Sequence, residues 1–514
     1  MQAVPAIFNE LAEGDVRPIS YGTRISFTKQ YDPSVTFFTL DQSVLDGVDL
    51  LAPTDDNPLQ AWDFYEYLDY SDRLMFLSWQ RELEFPFSVV SAIADFQLNN
   101  YDDYFTPNSD SPIQEYILPK RPVRLLSGFG GLIIPQFVGL TESMPEIDDV
   151  NRTVTFTAMD FLTQIYSMPI RETIAMQDVR TDEVLANIFE QFGLAPDQYD
   201  LSKGRNVIPF LFFEQGQVVA GDVIRPLMQA EAGMLWLSEE GIITFRPRLE
   251  QPHDPVYTFD EENIISLKTN GDDQIINQII IHSEIREVQE FQTVYIKTEG
   301  DSLSVIPAGD QYVFKAELTD PSIEVVEPTA GEQSGVSWFT AVLPNGDATG
   351  GVNVISSDLK TNHFEIVFEN TNGFDVDINQ IELWGRPAKI VDRIDYTATE
   401  QPSVDKYEVK LFEITNNFIQ SLDQCEAIAL MLLDEYQEFA SIIEMEVKGN
   451  PALQLGDVLN VDYRTYDGMY RITSIFNKIQ DGQFVQVLKA KHYEPRQWFT
   501  LDASELDGSH VLAP

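Results

Sequence analysis

Five histidines, His253, His282, His363, His492 and His510, are the first residues to test for chemistry. They stand far apart. None pairs with another at the spacing that lets one helix face hold a metal, and no His-Glu-x-x-His run is present. They read as surface or edge-strand residues. The single cysteine, Cys425, falls in the middle of an apolar stripe. It reads as a small buried hydrophobe rather than a nucleophile, because apolar surroundings keep a thiol protonated. Gly128-Phe129-Gly130-Gly131 has no Lys-Ser/Thr behind it and opens no helix, so it is a turn or bulge between strands, not a phosphate loop. Asp and Glu together number 83, and carboxylate pairs arise by chance at that density. Asp375 and Asp377 are the most suggestive pair, since alternate residues of a strand point the same way. They could contribute to a Ca²⁺ site, which takes six or more oxygens, or could line a solvated strand face. Asp148-Asp149 and Asp272-Asp273 read as loop acids, and nothing selects two carboxylates as a glycosidase pair. No catalytic residue, no cofactor and no metal ligand is assigned, and no enzyme is expected.

The elements around these residues belong to a folded chain. It has 514 residues, 43% of them hydrophobic, with 33 Phe and 20 Tyr. That is too aromatic for a disordered acidic chain, and the length allows three to five modules at roughly 100–200 residues each. Lys and Arg total 33, so the formal charge is −50. A surface this acidic argues against unaided binding to DNA, RNA or anionic lipid. One cysteine excludes a disulfide framework. No signal peptide and no run long enough to span a membrane are visible, so a soluble product made in the cytosol is expected.

Period-2 alternation marks the first 165 residues as mostly β, at 24–28, 34–37 and most cleanly at Thr153–Ala158, where Val154, Phe156 and Ala158 share a face. Residues 52–72 form an acidic, aromatic excursion. Residues 171–252 form a small α+β module. One helix carries Val184, Leu185, Ile188, Phe189 and Phe192 and stops at Gly193. A second carries Val223, Ile224, Leu227 and Met228, with Pro226 expected in its first turn and Gly233 as its stop. A hairpin pairs 234–237 with 242–245. Residues 253–300 and 396–495 form a second β module with a long helix at 421–439. Ser421 and Gln424 have the spacing of a capping box there, and Leu422, Cys425, Ala429, Leu432, Tyr436 and Phe439 form a stripe. Residues 301–395 read as an inserted β-sandwich, and 496–514 as a C-terminal tail.

Several segments resemble the tail-hub proteins of tailed bacteriophages, the family related to the central hub of contractile-tail baseplates. One is Ile117-Leu118-Pro119-Lys120-Arg121-Pro122-Val123-Arg124-Leu125 followed by Pro135-Gln136-Phe137-Val138-Gly139, in which Arg121, Pro122 and Gly139 match the family's phrase. Thr153–Ala158 then runs into Met159-Asp160-Phe161-Leu162, similar to the family's threonine-rich strand, aspartate and short helix, and the helix at 181–193 is similarly placed. Asp260–Ile265, Asn277–Ile279 and Leu455–Leu459 resemble strands of a second barrel. Asn370–Gly373 through Ile381–Ala388 resembles the last strands of a sandwich inserted in siphophage tail-tip proteins. Residues 52–72 and 400–415 match nothing in the pattern.

The resemblance implies a mainly β fold with a smaller α+β module: two hub-type β-barrels, plus the inserted sandwich. It implies a homotrimer whose six barrels make a pseudo-sixfold ring at the tail tip or baseplate of a virion. Its partners would be a distal tail protein ring, the tape-measure protein and receptor-binding or fibre proteins. DNA would pass through the channel without specific binding, and no membrane insertion is expected. An alternative is a host-surface carbohydrate-binding adhesin, with Trp338 and Trp384 of the sandwich stacking on sugar rings; sandwich core is the other reading of both. A cell-wall hydrolase is the third, with no catalytic constellation to support it.

Overall fold

The computed structural model describes residues 1–13, 17–28, 65–83, 88–107, 110–214, 216, 218–247, 254–271, 275–298, 305–326, 339–343, 345–437 and 441–493. The run at 34–37, most of the 52–72 excursion, Trp338, Asp272-Asp273, His253, His510 and the C-terminal tail lie outside them.

The chain opens with a helix that the β patterning did not announce, α1 (Ala6–Glu13). It is only eight residues long, and it lays Phe8 against Phe129, with ring centroids 5.7 Å apart. The first barrel follows: β1 (Ile19–Ile25), β2 (Leu68–Asp69), β3 (Leu74–Leu83), β4 (Ser88–Asn99), β5 (Pro122–Phe129), β6 (Leu132–Thr141), β7 (Glu146–Asp148) and β8 (Thr153–Asp160). Neighbours run β1-β5-β6-β8-β4-β3, all antiparallel, and β2 pairs β1. The first strand starts five residues before the alternating run that signalled it and ends at Ile25. Val154, Phe156 and Ala158 are buried as their spacing predicts, in a core with Phe27, Phe96, Phe105 and Phe137. Gly130 and Gly131, at φ 59° and 84°, make the β5–β6 turn, which needs two left-handed residues.

Gly139 sits where β6 leaves β5 and joins β8. A Cβ there would lie 2.2 Å from the Met159 carbonyl oxygen and 2.7 Å from the Phe137 ring. Both neighbours are fixed, one by the backbone ladder and one by the core. Gly139→Ala is therefore expected to cost about 3 kcal/mol, the upper end of ordinary overpacking, read as a lowered midpoint in urea unfolding. An unchanged midpoint would show that β6 and β8 can separate freely.

The α+β module contains α2 (Phe161–Tyr166), β9 (Ile174–Arg180), α3 (Thr181–Gln191), β10 (Tyr199–Leu201), β11 (Val207–Phe213), α4 (Ala220–Glu231), β12 (Met234–Leu237) and β13 (Ile243–Arg246). Asp160 caps α2, accepting from Thr163 N at 2.8 Å and also from Ala92 N at 2.8 Å. This explains why a strand–Asp–helix phrase is useful: one carboxylate ends the strand and starts the helix. Burial pushes its pKa up. Gly193, at φ 75°, ends α3, and its N–H donates to the Glu190 carbonyl at 2.8 Å. Two details of α4 differ from the sequence reading. The helix starts at Ala220, so Pro226 lies in its interior, not its first turn. The left-handed residue that ends it is Ala232, at φ 50°, with Gly233 immediately behind. β12 and β13 pair as the expected hairpin. β12 also runs parallel to the start of β4, so the module's sheet is continuous with the first barrel.

The second barrel begins with β14 (Pro255–Asp260) and β15 (Ile264–Gly271). The chain then leaves it on β16 (Gln278–Val288). The sandwich contains β17 (Gln292–Lys297), β18 (Val305–Ile306), β19 (Gln311–Glu317), β20 (Ser322–Val326), β21 (Phe339–Val342), β22 (Ala348–Thr349), β23 (Val352–Leu359) and β24 (His363–Asn370). One sheet is β19-β24-β23; the other is built on β25 (Val376–Thr399), which pairs β17, β18, β20 and β21. Phe364, Ile366 and Phe368 point inward from β24 and meet Val376, Ile378, Ile381 and Leu383. β25 is 24 residues long. Past the sandwich it pairs the whole of β16, Val288 with Ala388 through Gln278 with Thr399.

A short helix absent from the sequence reading, α5 (Gln401–Tyr407), leads to β26 (Leu411–Thr415), which lies parallel to β16. α6 (Leu422–Tyr436) covers this layer with Cys425, Ile428, Ala429 and Leu432, against Ile279, Ile281 and Ile414. Leu422 is not part of the stripe; it is 55% exposed. The capping box is half made: Ser421 accepts from Gln424 N, but the Gln424 side chain accepts from Gln420 N, one residue early. Described helix ends at Tyr436, and Phe439 lies outside the described residues. β27 (Ser441–Val447), β28 (Val458–Tyr463), β29 (Tyr466–Gln480) and β30 (Gln483–His492) complete the second barrel in the order β14-β28-β29-β30-β27-β15.

The two orders are the same. Lettering each barrel's six main strands a to f in chain order gives a-d-e-f-c-b in both, with β7 continuing e of the first. One pairing changes direction: β1 is antiparallel to β5, whereas β14 is parallel to β28. The chain is mainly β with a smaller α+β module. Among the described residues no helix is long and apolar enough to cross a membrane.

Candidate assembly interface

The barrels join edge to edge inside the chain. Strand b of the first, β3, pairs antiparallel with strand e of the second, β29, from Phe76 opposite Gln480 to Glu82 opposite Ser474. Side chains cross the seam. Ala452, Ile479 and Phe484 of the second barrel belong to the core of the first. The Trp79 and Phe484 rings stack 6.2 Å apart at 18°. A ladder with an apolar face on one side is a firm junction, because register and burial enforce each other.

Alternation along β3 puts Leu77, Trp79 and Arg81 on one face, so an arginine enters the interior. Its guanidinium is ion-paired with Glu239, in the β12–β13 turn, with both side chains 7% exposed. It also donates to the Gln136 carbonyl at 3.2 Å. The other oxygen of Glu239 accepts from Gln454 Nε2 at 2.6 Å. Gln136 in turn donates to the Pro451 carbonyl at 3.0 Å. Two barrels and the α+β module thus meet on one buried polar cluster. Arg81, Glu239 and Gln454 were not singled out from sequence; the signal available for Arg81 was a charge at an inward position of an apolar strand.

The residues that sequence did single out are dispersed. Trp384 lies on β25, half-buried, its indole N–H donating to Glu382 at 2.8 Å. Asp375 precedes β25 and accepts from Ala308 N at 3.0 Å, whereas Asp377 is buried on the strand. His282 contacts Asp395 at 2.6 Å across β16 and β25, His363 contacts Glu214 at 3.1 Å, and the His492 ring packs on Tyr470. No group of three or more His, Cys, Asp or Glu able to hold a metal ion occurs among the described residues. Cys425 is buried, and burial pushes its thiol up to about 11.

No family model matches the sequence, and no curated protein matches it either. Solved structures do. The 43 kDa tail protein of prophage MuSo2 from Shewanella oneidensis is 10% identical over 83% of this chain and 95% of that one, with a TM-score of 0.44. A tail protein from Neisseria meningitidis is 9% identical over 83% and 93%, with a TM-score of 0.45. The prophage tail protein gp18 from Listeria monocytogenes is 10% identical over 83% and 92%, with a TM-score of 0.41.

Proposed function

We propose that the chain is a structural hub of a phage tail tip or baseplate. In this reading three copies form a pseudo-sixfold ring around the channel for DNA and the tape-measure protein, and the ring anchors distal tail and fibre components of the virion. The observation that carries it is the repeated a-d-e-f-c-b strand order, with the two barrels fused edge to edge through β3 and β29. Two like barrels per chain let a threefold object present six like faces, which is what mating to a sixfold tail requires. The charge of −50 suits such a channel, because phosphates bind by releasing counterions to cationic groups and an acidic wall offers none. The family resemblance of the Arg121–Pro122, Gly139 and Asp160 segments points the same way.

The test is the mass of the purified full chain by native mass spectrometry at micromolar concentration. A trimer is expected. A monomer there, and again in tails taken apart from virions, overturns the reading.

A further inference from the structure

The seam inside the chain joins strand b of barrel one to strand e of barrel two. The reciprocal pair, strand b of barrel two and strand e of barrel one, is not joined among the described residues. Strand b of the second barrel, β15, pairs only β27 among the described strands, and Ile265 on it is 57% exposed. Strand e of the first barrel, β6 continued by β7, is held by β5 as far as Leu140. Beyond it Glu142 N donates to the Thr157 carbonyl, the chain bends at Ser143-Met144, and β7, from Glu146 to Asp148, has β8 as its one ladder neighbour among the described strands. In the second barrel the matching part of strand e, beyond its last pairing with β28, is the part that takes β3.

We infer that β15 of one copy adds antiparallel to the β7 edge, Glu146–Asp148, of a second copy, repeating between subunits the seam that β3 and β29 make within one. The inference rests on the ring reading above and names the surface that closes the ring. Register follows from the internal repeat. Ile147 faces Val154 as Ile479 faces Phe484, so Glu146 corresponds to Lys478. Ala94, between Trp79 and Ala158, corresponds to Met445, between Leu267 and Leu488, so Ser266 corresponds to Ser78. Lys478 faces Ser78 in the seam; Glu146 therefore faces Ser266 of the next copy. One position back, Ile147 meets the Ile264–Ile265 bulge, as Ile479 meets Leu77. Exposed Lys268, two residues along β15 from Ser266 and 3.8 Å from Glu444 of its own chain, falls diagonally beside Glu146, giving opposite charges at the rim. The contact joins unlike edges, so it propagates head to tail and ends only by closing a ring.

Glu146→Cys and Ser266→Cys, singly and together, with a short bismaleimide, test this on the full chain. Cys425 is buried and stays silent. The double variant is expected to give covalent species up to trimer on denaturing gels, a mixture of the two single variants to give covalent dimers, and each single variant alone to give none. A native trimer without these products overturns the edge pairing and leaves the ring intact. Products from one single variant alone place a different surface at the contact and also overturn it. A native monomer overturns both.

Discussion

Arg81→Ala is expected to lower the unfolding free energy of the full chain by about 3–5 kcal/mol, the usual result of removing one partner of a buried ion pair. The size comes from what is left behind. Glu239 keeps its charge at 7% exposure with only Gln454 as its described donor, and the Gln136 carbonyl loses a donor as well. Lysine does not repair the site, because one ammonium lacks the fork that reaches two acceptors, one in the β12–β13 turn and one on β6. Replacing Arg81 and Glu239 together by methionine is expected to recover most of the loss, since an apolar pair leaves no orphaned charge. Urea unfolding followed by tryptophan fluorescence measures all three variants. A loss below about 1 kcal/mol for Arg81→Ala, the value of an exposed pair, would mean water reaches the cluster.

Phe364→Ala carries a similar figure, about 3–5 kcal/mol for a buried aromatic truncated to alanine, but a different distribution. Phe364 is fully buried in the sandwich, 4.7 Å from the Tyr295 ring and 5.9 Å from the Phe314 ring, and these residues belong to a core of their own. The loss is therefore expected to stay within 292–387. Hydrogen exchange should show amides of β19, β23 and β24 losing protection while those of β8 and β30 keep theirs, as expected for separate cooperative units. Equal loss in the barrels would show that the sandwich and barrels unfold as one.

The parts of this fold legible in sequence are those where local patterning and tertiary burial agree. β8 shows it best: Thr155 and Thr157 half-exposed on one face, Val154, Phe156 and Ala158 buried on the other. The Gly130-Gly131 turn and the Gly193 stop were legible for the same reason, since each needs a backbone conformation that glycine reaches at little cost. Elsewhere local and tertiary signals part. Pro226 looked like a helix start because proline is harmless there, yet α4 reaches back to Ala220, a stretch whose Ala-Gly-Asp composition reads as loop. Leu422 has the right spacing for the α6 stripe but falls at the first residue of the helix, beyond the layer it covers. The candidate interface was harder still. The seam joins residues some 400 positions apart, and a lone arginine in a strand looks like any solvated charge until the strand that covers it is known. The repeated strand order leaves no trace in sequence periodicity, because the insertions fall between different strands in the two barrels.

The long β25 has a mechanical side. At roughly 3.3 Å per residue its 24 residues reach about 80 Å, and one unbroken backbone serves both the sandwich and the layer under α6. A tug on the sandwich is carried in tension along covalent bonds and is shared sideways as shear with β16. The register skips Val391 opposite Ile285 and Arg286, between the sandwich and the layer under α6, so the limb bends most readily there and passes on displacement at its tip as rotation about that point.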